Sequence, residues 1–147
     1  MRWTCLRFDE LTVRQLHDLL KLRSEVFVVE QNCVFLDIDG LDPKTWHLLG
    51  TGDDGRLLAY TRLIPPGVKA PDALIGRVVT SPAVRGGGTG RALMAESVAQ
   101  CERLWPGRAI TLHAQAHLER FYGSFGFMQS GEPYIEDGIP HLEMRKP

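Results

Sequence analysis

Six consecutive residues, Arg85-Gly86-Gly87-Gly88-Thr89-Gly90, have the composition of an anion cradle. Glycines let successive backbone N–H groups converge on one concave space, and a helix that follows adds the positive partial charge of its N-terminus. A phosphate or pyrophosphate can then be held by backbone alone, with Arg85 and Arg91 supplying formal charge at the rim. The plainer reading is a flexible joint between two elements. The order of strand, turn and amphipathic helix favours the cradle. A nucleotide-hydrolase P-loop is excluded, because Gly90 is followed by Arg91-Ala92 where lysine and a hydroxyl are required. A dinucleotide fingerprint fits neither register, since Gly86-x-Gly88 runs on to Arg91 and Gly88-x-Gly90 to Leu93. What fits is R-x-x-G-x-G on Arg85, Gly88 and Gly90.

The elements that must position this turn are legible from pattern. Residues 3–8 alternate partly as a strand. Thr12 with Gln15 makes a capping box, and Leu16, Leu19, Leu20, Arg23 and Phe27 then fall on one helical face that breaks or kinks before Glu30. Residues 32–43 hold three aspartates, a glycine and a proline, and are expected as a surface loop. Residues 46–51 and 56–64 form a hairpin around Gly52-Asp53-Asp54-Gly55. A fourth strand spans 73–81 and leads into the glycine turn. The helix after the turn covers 89–104, with Leu93, Val98, Cys101 and Leu104 towards the core. Residues 109–114 form a fifth strand and 117–124 a short helix. Residues 127–135 and 141–145 pair as a last hairpin turned by Glu136-Asp137-Gly138. The fold class is α/β (α+β), one domain over residues 1–147, antiparallel in its first half.

Bulk properties narrow the function. The 147 residues suffice for one domain with a real core, and 44% hydrophobic with 24% charged is a globular composition. A net charge of −1 gives no general attraction for nucleic acid or anionic lipid. No apolar run approaches a membrane span, and the first residues lack the long apolar stretch of a secretory signal. Cys5, Cys33 and Cys101 are widely spaced and form no C-x-x-C pair, so reduced thiols are expected rather than disulfides or a metal site. A cytoplasmic protein without metal, nucleic-acid or membrane partners is the expectation.

The R-x-x-G-x-G run, shortly after Ser81-Pro82, resembles the coenzyme A loop of the GNAT superfamily of N-acetyltransferases. Leu118 to Phe127, with Tyr122 four residues before Gly126-Phe127, resembles that superfamily's second signature, the helix bearing a catalytic tyrosine. Gln115 stands seven residues before Tyr122, where many members have asparagine, and could make similar hydrogen bonds. Three further runs resemble the bacterial ElaA group: residues 22–31, Asp37-Ile38-Asp39-Gly40-Leu41-Asp42, and Glu136-Asp137-Gly138-Ile139-Pro140-His141. The likeness spans essentially the whole chain. It implies a mixed, mostly antiparallel central sheet of about six or seven strands flanked by helices, acetyl-CoA as acyl donor, and an amine acceptor, small or on a protein. GNAT-like domains often pair, so the resemblance admits a homodimer.

Acyl transfer from a thioester to an amine needs aligned reactants, a neutral nucleophile, a polarised carbonyl and an acid for the departing thiolate. The resemblance assigns the pyrophosphate to Arg85, Gly86, Gly87, Gly88, Thr89, Gly90 and Arg91, with Gln115 beside the cofactor. It assigns the pantetheine arm to the end of the fourth strand at Val78, Val79 and Thr80, paired like an added strand. It makes Tyr122 the acid, against the alternative of a core tyrosine on a short amphipathic helix. For the base, Glu30, Asp37, Asp39, Asp42, His47, His113 and His117 are all candidates, as is a water chain, and Glu30 is favoured. The histidines read more readily as structural. The acidic loop is either a solvated edge or a hint of a cationic amine. The alternative function is a non-catalytic acyl-CoA-binding regulatory module, which would not require Tyr122.

Overall fold

The computed structural model describes all 147 residues. Strand β1 (Arg2–Arg7) leads through a short 3-10 turn into helix α1 (Val13–Arg23). The capping box forms as the sequence predicts: the Gln15 N–H donates to Thr12 Oγ1 at 3.0 Å, and the Thr12 N–H donates to Gln15 Oε1 at 2.9 Å. The predicted break after α1 is a change of pitch, a π-helical segment at Ser24–Glu30. Leu19, Leu22, Arg23 and Val26 are the buried residues of this stretch.

Strands β2 (Trp46–Thr51), β3 (Leu57–Ile64) and β4 (Ala73–Thr80) continue the sheet, and helix α2 (Thr89–Leu104) follows the glycine turn. Strand β5 (Ile110–Gln115) leads through a 3-10 turn to helix α3 (Glu119–Gly123). The chain ends with β6 (Met128–Gln129), β7 (Tyr134–Glu136) and β8 (Ile139–Lys146). All eight strands form one sheet in the order β1-β2-β3-β4-β5-β8-β6, with β7 also paired to β8, and every pairing is antiparallel except β4 with β5.

The last hairpin differs from expectation. Its first arm is two short strands rather than one, interrupted at residues 130–133 by Ser-Gly-Glu-Pro. Gly131 has a φ of 130° there, and proline cannot donate to a ladder. Asp137 and Gly138, both at positive φ (51° and 76°), form the tight turn between β7 and β8, the conformation that suits the twist of a two-residue hairpin.

Two core layers flank the sheet. On one side α1 packs Leu19, Leu22 and Val26 with Leu49, Tyr60 and Val79. On the other, α2 contributes Met94 and Cys101 and α3 contributes Tyr122, packed with Leu112, Ala114, Leu142 and Met144.

Candidate active site

The parallel seam is where the sheet opens. β4 and β5 pair only at Ala73 with Ile110 and Leu74 with Thr111; beyond that the strands part. The gap is a cleft of about 830 Å³, walled by Ile75 to Val78 of β4 and Leu112 to Gln115 of β5. Tyr122 closes one part of it, and Cys33, Asp39, Glu136, Asp137 and His141 line the rest.

One wall carries a bulge. Tyr60 pairs with Val79 and Arg62 with Gly76, so β4 has one more residue than β3 in this stretch. Arg77, within it, has a φ of 51°. A bulge leaves a residue out of the ladder and re-aims the strand, and non-glycine residues in this conformation cluster at functional sites. Gly76 to Val78 thus line the cleft at the bulge, on the edge of β4 where its pairing with β5 has ended. Val78 lines the cleft, whereas the Val79 side chain points into the α1 core.

The glycine turn lies outside the cleft lining, at the start of α2. Gly86 and Gly88 have φ values of 85° and 82°, and a side chain added at Gly86, Gly88 or Gly90 would meet no atom within 4 Å. Gly88 is the helix N-cap; no side chain caps it, and the first turn carries no acidic residue. The start of α2 therefore has no side chain capping its leading N–H groups and room around its glycines, which is what a pyrophosphate requires. The residues present fit the group.

The two arginines flanking this turn reach in different directions, Arg91 towards the helix that carries Tyr122 and Arg85 towards Glu30. The Arg91 guanidinium lies 5.5 Å and 5.2 Å from the ring centroids of Phe121 and Phe125 and bonds Ser124 Oγ at 3.3 Å. Its contact ring, Phe121, meets Tyr122 edge to face at 5.1 Å. Arg85 instead grips Glu30, with Nη2 donating to Oε2 at 2.8 Å and Nη1 bonding Oε1. Arg85 Nη2 also lies 3.4 Å from the Thr80 carbonyl.

Tyr122 is buried yet lines the cleft. Burial alone pushes its phenol above the ordinary value, so the proton stays on oxygen at neutral pH. Gln115, at the end of β5, lines the same space. Glu30 stands outside the cleft lining, and its bond to Arg85 holds the carboxyl below the usual range.

Of the two readings the sequence allows for the acidic loop, the solvated edge does not hold for Asp37 and Asp42. Asp37 and Asp42 are buried and bound to arginines from three elements. Arg23 donates to Asp37 Oδ2 at 3.0 Å and to Asp42 Oδ1 at 2.8 Å. Arg62 donates to both Asp39 carboxylate oxygens at 2.9 Å and to Asp42 Oδ1 at 3.0 Å. Arg77 donates to Asp37 Oδ1 at 2.8 Å. Three carboxylates and three guanidiniums cancel, so the loop presents no net charge to a cation. It is a brace that pins a cleft wall. His47 is a core histidine, bonded to the Tyr60 hydroxyl at 2.7 Å. His113 lines the cleft and bonds the Tyr134 hydroxyl at 3.0 Å.

Sequence reasoning missed His141 and Glu136 as a chemical pair. The signal was there: the Asp137-Gly138 turn folds Glu136 and His141 back beside each other. No three metal-ligating side chains converge in a metal site, and no helix is long and apolar enough to cross a membrane.

A parallel seam that parts into a cleft and an uncapped glycine turn agree with the acyltransferase fold that the sequence resemblance implies. The profile of the acetyltransferase (GNAT) domain matches residues 41–147. The chain belongs to the GNAT acetyltransferase family, within its ElaA-like group. It is 45% identical to the protein ElaA of Escherichia coli over 99% of this chain and 96% of that one. A UPF0039 protein of Synechocystis is 44% identical, covering 98% of this chain and 94% of the relative. Among solved structures, an acyl-CoA N-acyltransferase from Pseudomonas aeruginosa superposes with a TM-score of 0.96 at 47% identity, covering 99% of both chains. The crystal structure of E. coli ElaA superposes with 0.93 at 44%, again over 99% of each. The family binds acetyl-CoA or another acyl-CoA.

Proposed function

We propose that the protein transfers an acetyl group from acetyl-CoA to a primary amine by direct attack on the thioester. The observation that carries this reading is the placement of Tyr122. A protonated phenol, raised by burial, lines the same cleft as the bulged β4 wall. In this reading Arg85 to Arg91 hold the pyrophosphate, and the pantetheine arm extends along Val78 to Thr80 with Gln115 opposite. An N–H of the bulged wall polarises the thioester carbonyl. The amine attacks the carbonyl carbon, the carbon–sulfur bond breaks, and the Tyr122 hydroxyl gives its proton to the sulfur.

A pure acyl-CoA sensor would need the cradle and the bulge but not a partnerless phenol beside them. Incubation of the protein with acetyl-CoA and a panel of amino acids, aminoglycosides, alkylamines, polyamines and peptides, with thiol release as readout, tests the proposal. Amine-dependent release supports it. Tight acetyl-CoA binding without release from any amine would favour the sensor.

A further inference from the structure

The cleft's far wall holds a second group of side chains to which the acyl-donor site gives no task. His141 Nδ1 lies 2.8 Å from the Ile139 carbonyl. A carbonyl only accepts, so Nδ1 carries the proton and, in the neutral ring, Nε2 carries a lone pair. That lone pair lies 3.6 Å from Glu136 Oε2. With the ring neutral, Nε2 and the carboxylate oxygen are both acceptors facing one space, and either a proton on Nε2 or a cationic donor between them completes the pair.

The surroundings fix the ring. Tyr134 pairs with His141 across the hairpin and stacks on it, with centroids 5.7 Å apart and planes at 27°. Gln115 pairs with His141 from the other side. The His141 side chain is only 13% exposed, while that of Glu136 is 58% exposed at the mouth. Another titratable group facing this space is His113, whose cross-strand partner Glu143 is bonded by the Ser130 hydroxyl at 3.1 Å. Cys33, Asp39, Lys69, Arg77 and Asp137 line the cleft around them. Asp39 and Arg77 are committed to the arginine–aspartate brace, whereas Glu136 and His141 face each other across the cleft lining.

We propose that Glu136 and His141 form the acceptor-amine subsite, in which Glu136 binds the ammonium and His141 Nε2 removes its proton. This rests on the acetyltransferase reading above and names both its substrate class, a cationic primary amine, and its base. The proton moves from R–NH3+ to Nε2, leaving an imidazolium between the Ile139 carbonyl and the Glu136 carboxylate. The neutral amine forms the C–N bond, the C–S bond breaks, and the thiolate takes the Tyr122 proton. The second N–H proton is lost as the amide forms and restores Tyr122 through solvent. His141 then releases its proton, so one proton appears per turnover.

The test compares His141→Asn and Glu136→Gln with wild type. Asparagine can keep a donor to the Ile139 carbonyl while deleting Nε2, and Glu136 is exposed enough for its variant to fold. Each is measured for kcat/KM against pH with an amine that wild type acetylates, for acetyl-CoA affinity by calorimetry, and for melting temperature. His141→Asn is expected to lower kcat/KM by about 10²–10⁴-fold at neutral pH, with unchanged acetyl-CoA affinity. The deficit should close as pH rises and the amine loses its own proton in solution. Glu136→Gln should raise KM for the amine alone, less so at high salt. If His141→Asn keeps the wild-type rate and pH profile while wild type acetylates amines, this subsite is wrong and the enzyme reading stands. If wild type acetylates no amine in the panel, both fall.

Discussion

Arg85 and Glu30 are locked together, the guanidinium donating to both carboxylate oxygens of a residue fifty-five positions earlier. The pair joins the rim of the glycine turn to the end of the π-helical segment after α1. It also gives the favoured sequence candidate for the base a different task, since a carboxylate held by a guanidinium is a poor proton acceptor.

Glu30→Gln should therefore leave kcat nearly unchanged. It frees Arg85, so acetyl-CoA affinity measured by calorimetry should stay the same or tighten. A fall in kcat of about 10²–10⁴-fold with intact acetyl-CoA binding would restore Glu30 as the proton acceptor.

At the cradle, Gly88→Asp should abolish the rise in melting temperature that acetyl-CoA confers. The carboxylate would sit at an uncapped helix N-terminus that otherwise faces the pyrophosphate. Gly88→Asn has similar size and tolerates positive φ, so it should retain more binding than the aspartate. Equal affinity for Gly88→Asp and wild type would remove the phosphate site from this turn. ATP and NAD should give no thermal shift.

The brace leads to a stability prediction rather than a kinetic one. Asp42→Asn leaves Arg23 and Arg62 with an uncompensated share of buried charge, and breaking such a pair typically costs about 3–5 kcal/mol. Urea denaturation should show a loss of that size. It should persist at high salt, because buried pairs are screened little. A variant of wild-type stability with a raised amine KM would return the loop to substrate recruitment.

Acid should act in two stages. Burial depresses the His47 imidazole below its ordinary value, so the folded state keeps the ring neutral while the unfolded chain binds a proton below about pH 6.5. Stability therefore begins to fall there as pH drops. Burial would raise the Asp39 and Asp42 carboxyls, but their arginine partners outweigh it and hold both low. Their contribution is present above the unfolded value of about 3.9 and is lost as pH falls through the folded values. Urea midpoints across pH 3–8 should show a shallow decline and then a steep one. His47→Gln should remove the pH dependence of the first stage only.

What the sequence disclosed was local. The Thr12–Gln15 box, the bounds of α2 and the glycine turn follow from residues within a few positions of each other. Burial of Asp37 and Asp42 was hidden because their partners lie 14 to 40 residues away in α1, β3 and β4. A charge-rich run looks solvated until its counterions are in place. The two-piece arm before β8 was marked by Gly131 and Pro133, which the strand pattern around them outweighed. Tyr122 took its meaning from its neighbours: the helix spacing permitted a core tyrosine, and only the parting of β4 and β5 puts its ring at a cleft.

The most direct test of the account is Tyr122→Phe, which deletes one hydroxyl and leaves the ring in its packing. Single-turnover acetylation, acetyl-CoA affinity and melting temperature are to be measured on the same preparation. The account predicts a fall in the chemical rate of about 10²–10⁴-fold, with affinity and melting temperature close to wild type. A near-normal rate accompanied by a lowered melting temperature would contradict it and return Tyr122 to the core.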